Sequence, residues 1–284
     1  VFTETPLAGN PLAVVLDTEG LDDARMQAIA REFNLSETVF VRPPADDRHR
    51  ASLRIFTPSK ELPFAGHPTV GAASLLAILD GAADSLFSLE EKAGIVPCIV
   101  ERRGDDSARA RFRTPRLPAL QDGGVVDADA LADALGLKKK DISFSNREVE
   151  IWSAGTPFPI APIATLDALE RAVPGPTLEG VTAGTGHVFL YVQTGTNTFR
   201  ARMFAPGAGI QEDPATGGAV AAFAGLVYRG APHPDGDHDY VIEQGVEMGR
   251  PSRIEMQLIV RNGALEGVEI AGWATIISEG HLRH

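Results

Sequence analysis

The sequence predicts an α+β fold built as two similar lobes. Three observations lead there. The chain has 284 residues, more than one compact core usually fills. Strand-like runs rich in Val, Ile, Leu and Phe and bounded by Gly and Pro recur along it, with few helical patterns between them. And two distant stretches repeat one another with their polar residues changed.

In chain order the predicted strands are PLAVVLD (11–17), ETVFVR (37–42), RASLRIF (50–56), GIVPCIVERR (94–103), ARARFRT (108–114), GHVFLYVQT (186–194), TFRARMF (198–204), SRIEMQLIVR (252–261) and GVEIAGWATII (267–277). Their bounding turns favour mostly antiparallel sheets. Over residues 22–33, Met26, Ile29, Ala30 and Phe33 recur at spacings of three and four, which predicts a helix burying that face. Residues 114–130 gather Pro, Gly and Asp and read as the interdomain connection. The first lobe is therefore expected over 1–115, joined by the tail from about 273, and the second over 130–272. A further Gly, Pro and Asp cluster at 230–239 reads as a surface loop.

The repeat sets RIFTP (54–58) over RMFAP (202–206), matching Arg54 to Arg202 and Phe56 to Phe204. It resumes with Thr69 over Thr216, Gly71 over Gly218 and Ala72 over Ala219. Each copy reads strand, Pro-containing loop, then an apolar helix opened by Thr and Gly, so a duplicated lobe is expected. Helices so poor in polar residues are buried on nearly every side. Their amino-terminal ends carry unpaired N–H groups that attract an anion such as a carboxylate, and a pseudo-twofold arrangement would bring two such ends to an interdomain cleft. The loop before the helix reads Gly66, His67, Pro68 in one copy and Glu212, Asp213, Pro214 in the other. An imidazole opposite a carboxylate suits proton transfer.

Composition narrows the class. Hydrophobic residues make up 44% and charged residues 23%, as in ordinary globular proteins. A net charge of −12 argues against a nucleic-acid or anionic-membrane partner. The single cysteine, Cys98, allows no internal disulfide or multi-thiolate metal site and fits a reducing, cytoplasmic setting; its apolar neighbours make it a buried small side chain. No apolar run is long enough for a membrane span and no secretory signal is expected. Val1 opens inside an apparent strand, so leading residues are expected before it. The histidines at 49, 187, 233, 238, 281 and 284 show no metal-binding spacing, and HPDGDH (233–238) reads as a surface loop.

Taken together, GNPLAVV (9–15), NLSETVFV (34–41), FAGHPTVGAA (64–73), EDPATGGA (212–219) and EQGVEMGRPS (243–252) resemble the phenazine-biosynthesis PhzF-like isomerase family, in order and over almost the whole chain. The resemblance implies a diaminopimelate epimerase-like fold, two lobes of mixed sheet each wrapped around a central helix, and a cofactor-independent, metal-free isomerase that moves a proton between carbons of a small carboxylate-bearing metabolite. It implies Glu37 as the acid/base, with His67 and Asp213 assisting or holding substrate, and a homodimer. Gly66, Thr216, Gly217 and Gly218 are expected to bind substrate. Gly218 stands where the family pattern has serine, which removes a hydroxyl but keeps the backbone N–H.

Each residue also has a plainer reading: Glu37 as a solvated turn residue, His67 as a helix cap or turn filler, Asp213 as an N-terminal cap. Thr69 and Thr216 read as capping or first-turn residues. Burial in a cleft would raise the pKa of Glu37 and let it both take and return a proton. Arg250 reads either as a guide for an anionic substrate or as part of a strand-entry turn. A racemase using one thiol from each lobe is excluded by the cysteine count, so an epimerase reading has to use Glu37, His67 or Asp213. A metabolite-binding protein that kept the scaffold without the chemistry is the alternative from another class. No GxSxG motif supports a hydrolase.

Overall fold

The structure, a computed structural model, describes residues 1–122, 126–142 and 148–283. Part of the expected connection (123–125) and His284 lie outside the described residues. The chain divides into two compact units, Val1–Arg113 with Ala271–His284, and Thr114–Ile270.

The first unit contains β1 (Ala13–Val15), α1 (Asp23–Phe33), β2 (Thr38–Arg42), β3 (Ala51–Phe56), β4 (Glu61–Leu62), α2 (Gly66–Asp80), β5 (Asp84–Glu91), β6 (Gly94–Arg103) and β7 (Ser107–Arg113). β1 pairs with β2 and β3 with β5 in parallel; β2–β3, β5–β6 and β6–β7 are antiparallel. The second unit contains β8 (Ala119–Leu120), α3 (Ala128–Ala134), β9 (Glu150–Ser153), β10 (Pro157–Pro162), α4 (Leu166–Arg171), α5 (Leu178–Val181), β11 (Val188–Gln193), β12 (Thr198–Ala205), β13 (Ile210–Asp213), α6 (Gly217–Gly230), β14 (Gly236–Gln244) and β15 (Ser252–Arg261). β16 (Ala264–Thr275) runs from the second unit into the first. The alternation recurs: β10–β11 and β12–β14 are parallel, β11–β12 and β14–β15 antiparallel. The fold is α+β, with a nearly all-apolar helix against the sheet in each unit.

The repeat is visible in side chains as well as topology. Arg54 of β3 pairs with Glu61 of β4 and lies over the Phe56 ring at 5.3 Å. Arg202 of β12 pairs with Glu212 of β13 at 2.8 Å and lies over the Phe204 ring at 4.7 Å. The strand hairpin, the ion pair and the cation–π contact are thus the same motif twice.

Local chemistry explains how α1 delivers Glu37. Asp22 caps its start by accepting from the Arg25 N–H at 2.8 Å. Met26, Ile29 and Ala30 are buried with Phe40 and Phe56, and each of the two larger side chains contributes about 1.5–3 kcal/mol of transfer free energy. Phe33 departs from the expected face: it is 38% exposed, because the helix ends there and Asn34 turns left-handed at φ 50°. Glu37 follows directly, one residue before β2.

Two boundaries also differ from expectation. Gly66, His67 and Pro68 form the first turn of α2 instead of a loop ahead of it, with Ala65 as N-cap; Pro68 fits there because first-turn N–H groups have no intrahelical acceptor. And α6 ends at Gly230 while β14 begins at Gly236, so only 231–235 of the 230–239 cluster is loop.

Candidate active site

In the first unit, three sequence-distant residues meet at the start of α2. Gly71 makes this possible: a Cβ there would lie 2.4 Å from Leu12, so the helix and the GNPL segment approach as only glycine permits. That approach seats Asn10, fully buried, with its Nδ2 3.4 Å from Nδ1 of His67, while its Oδ1 accepts from Ser36 Oγ at 3.4 Å. Oε2 of Glu37 stands 3.4 Å from the same Nδ1, with the Glu37 side chain 16% exposed and His67 only 4%. Burial pushes the His67 pKa down to about 3, the Pro11 carbonyl opposing. The imidazole is therefore neutral at ordinary pH, and the pair is a carboxyl beside an uncharged ring. His67 Nε2 is buried and finds no hydrogen-bond partner among the described residues. Such a pair can pass or share a proton without having to separate charge in a dry site.

In the second unit, Asp213 ends β13 and is 8% exposed. Thr216 is the N-cap of α6, so the capping position belongs to it and not to Asp213; its hydroxyl donates to Asp213 Oδ2 at 2.5 Å. Gln244, fully buried at the end of β14, ties the turn together. Its Nε2 donates to the Asp213 carbonyl at 2.7 Å and to Thr216 Oγ1 at 3.0 Å, and its Oε1 accepts the Thr216 N–H at 3.1 Å. Gly245 carries this contact: at φ +74° its added Cβ would lie 2.7 Å from the Pro214 carbonyl. Gly217 and Gly218 open α6 immediately afterwards. A Cβ at Gly218 would meet only the Phe158 ring, at 3.8 Å, so packing does not demand a glycine there.

Residues 1–280 match the PhzC-PhzF family, phenazine biosynthesis-like proteins. The chain belongs to that family. It is 46% identical over 293 residues to an uncharacterized isomerase of Mesorhizobium japonicum, covering 99% of this chain and 96% of that protein. It is 36% identical over 287 residues to the trans-2,3-dihydro-3-hydroxyanthranilate isomerase of Pseudomonas aeruginosa, covering 98% and 95%. The crystal structure of a PhzF-family phenazine biosynthesis protein from Bacillus anthracis superposes with a TM-score of 0.83 at 26% identity, over 97% of this chain and 94% of that one. Like its PhzF-family relatives, the protein is an isomerase.

Two residues of this PhzC-PhzF member escaped the sequence reading although their motifs did not. Asn10 lies in GNPLAVV and Gln244 in EQGVEMGRPS; both are fully buried and polar, and the only sequence signal is an amide inside a recurrent motif. Arg250 sits in the turn between β14 and β15, its N–H donating to the Gly245 carbonyl at 2.9 Å. Cys98 is buried, and burial pushes its thiol well above the usual range. His233 and His238 meet edge to face with ring centroids 5.0 Å apart, His233 Nε2 lies 2.7 Å from the Tyr240 hydroxyl, and no three potential metal ligands cluster among the described residues. Among the described residues no helix is long and apolar enough to cross a membrane.

Proposed function

We propose that the protein is a cofactor-independent isomerase that moves a proton between two carbons of a small metabolite bearing a carboxylate and an acidic or allylic C–H bond. The observation that carries this reading is the Glu37 carboxyl, largely buried beside a neutral His67 at 3.4 Å. In the ionised form Glu37 removes the proton from carbon, leaving a carbanion delocalised toward the substrate's unsaturation. The protonated Glu37 then returns that proton to a second carbon, so substrate and product have the same atoms and Glu37 ends as it began. His67, uncharged, assists by sharing the carboxyl proton. In the first unit the Gly66 N–H, and in the second the N–H groups of Gly217 and Gly218 beside Thr216 and Asp213, each suit a substrate carboxylate. While it is protonated, Glu37 exchanges with solvent in competition with return of the proton, so turnover in heavy water leaves deuterium at the second carbon. The activity of relatives suggests the substrate class, and trans-2,3-dihydro-3-hydroxyanthranilate is the first probe.

The test is solvent exchange. The protein is incubated in heavy water with that probe and with a panel of unsaturated carboxylates. Glu37→Gln is expected to keep the fold and probe binding and to abolish deuterium incorporation; undiminished incorporation removes Glu37 from the mechanism.

A further inference from the structure

Glu91 ends β5 and is 8% exposed, yet it takes no part in the chemistry above. Its Oε1 lies 2.7 Å from Thr69 Oγ1, in the first turns of α2, and its Oε2 is buried without a hydrogen-bond partner among the described residues. Thr69 Oγ1 is also 2.8 Å from the carbonyl of Ala65. A hydroxyl has one proton and here faces two oxygens at hydrogen-bonding distance. If Glu91 were ionised, one of those contacts would be oxygen against oxygen with nothing between. If Glu91 carries the proton, both contacts are satisfied: Glu91 donates to Thr69, and Thr69 donates to Ala65.

The internal repeat supplies an independent reading of the same position. Thr69 corresponds to Thr216 and Arg54 to Arg202. In the parallel pairing Ser52 faces Glu90 on β5, and Arg200 faces Glu243 on β14. Counting one residue on, Glu91 corresponds to Gln244. Gln244 contributes an N–H to Thr216 Oγ1 at 3.0 Å, and that hydroxyl then donates onward to Asp213. The second unit fills this position with an obligatory donor, and only the protonated acid lets Glu91 do the same.

We propose that Glu91 is a positioning residue acting as the neutral acid, donating through Thr69 to the Ala65 carbonyl and so fixing the start of α2. The Ala65 carbonyl and the Gly66 N–H belong to one planar trans peptide. Holding the carbonyl toward Thr69 therefore aims the Gly66 N–H the opposite way, out of the helix start, and sets the backbone from which His67 projects. That these two groups serve the reaction rests on the function proposed above; the donor chain itself does not.

The surroundings agree with a neutral acid. Burial raises the Glu91 pKa to about 8, the Thr69 hydrogen bond opposing. Charged groups on the neighbouring elements are engaged elsewhere: Arg54 of β3 with Glu61 and Asp23, Asp80 of α2 with Arg50, Glu101 of β6 with Arg109 of β7, and Lys92 with Glu61. Cys98 of β6 pairs with Phe87, four residues before Glu91 and on the same face of β5, and burial raises its thiol above the usual range, so it too is uncharged. His67 shares α2 and stays neutral.

The test uses the full chain and needs no ligand in its first arm. With 13C-labelled glutamate and 15N-labelled backbone, the carboxyl resonance lost in Glu91→Gln is expected to titrate near pH 8 in the wild type, and the Gly66 amide to move with it. In Glu91→Gln the Gly66 amide is expected to stay at its low-pH position throughout. A Glu91 carboxyl titrating in the ordinary range near pH 4–5, or a Gly66 amide indifferent to it, overturns the proposal whether or not the protein exchanges deuterium. In the exchange assay, wild-type kcat/KM should fall above pH 8 while Glu91→Gln keeps its neutral-pH rate across that range. Thr69→Val should lower kcat/KM about tenfold at all pH values, the effect of one lost hydrogen bond, and Thr69→Ser should restore it. An alkaline limb unchanged in Glu91→Gln overturns the proposal.

Discussion

Nδ1 of His67 stands 3.4 Å from Oε2 of Glu37, and the ring is kept neutral by burial. Neutrality has a stability consequence of definite sign. The unfolded chain protonates this histidine below pH 6.5, whereas the folded one resists until about pH 3. Between those values the unfolded state binds more protons, so stability falls as pH falls. The loss from this group is about 1.4 kcal/mol per pH unit, about 2 kcal/mol by pH 5. Urea unfolding at pH 7 and pH 5 should show this slope, and His67→Gln should remove that part of it.

Gln244 is expected to be costly to lose. Replacing it with Leu strips partners from the Thr216 N–H, the Asp213 carbonyl and the Thr216 hydroxyl at once. The Thr216 hydroxyl keeps its bond to Asp213, so two buried groups are orphaned at about 1–3 kcal/mol each, and a loss of about 2–6 kcal/mol is expected by denaturant titration. Glu at this position can stay protonated as Glu91 does but supplies only one of the two amide N–H contacts, so Gln244→Glu should cost less than Gln244→Leu at neutral pH and more as the pH rises.

Gly218 and Gly71 occupy matching places in the repeat and should respond oppositely to a side chain. At Gly218 the nearest atoms to a new Cβ are ordinary contacts with Phe158. Gly218→Ser should leave stability within about 0.5 kcal/mol of wild type, and it restores the hydroxyl of the family pattern, so any change in substrate preference reads the role of that group directly. At Gly71 the Cβ would strike Leu12 at 2.4 Å. Gly71→Ala should cost about 1–3 kcal/mol through overpacking, and should disturb the Asn10 contact to His67.

The twin arginines should differ as well. Arg202 is 8% exposed and satisfies, besides Glu212, the carbonyls of Leu169, Glu170 and Ala172. Arg202→Met should cost about 3–5 kcal/mol, the loss expected when one partner of a buried pair is removed. Arg54 is 16% exposed, and Lys92 remains beside Glu61 when it goes. Arg54→Met should cost about 1–2 kcal/mol. Melting curves of the two variants compare them under identical conditions.

What could be read from the sequence follows the physics of each element. α1 was legible because a 3.6-residue period, an Asp cap and an Asn stop agree. β10, Pro157–Pro162, was missed because three prolines argue against a strand, yet it pairs on both sides. β5 was missed because Glu91, a charged residue, occupies an inward position. The motifs marked Glu37, His67 and Asp213, the residues proposed for the site, but not the amides beside them. Asn10 before Pro11 reads as an ordinary turn, and its contact with His67 spans a separation no local pattern encodes. The correspondence of Glu91 to Gln244 needed strand register, which a sequence without its pairing partners cannot supply.

The ending of β16 bears on synthesis. Ala271 and the residues after it belong to the first unit, where the Thr3 N–H donates to the Trp273 carbonyl at 3.0 Å and the Ile276 N–H to the Asp106 carbonyl at 2.8 Å. A nascent chain emerging from the ribosome therefore carries an unfinished amino-terminal half while all of the other half is translated. Translation adds roughly 5–20 residues each second, so that half waits for many seconds with an open sheet margin until Ala271–Thr275 emerge.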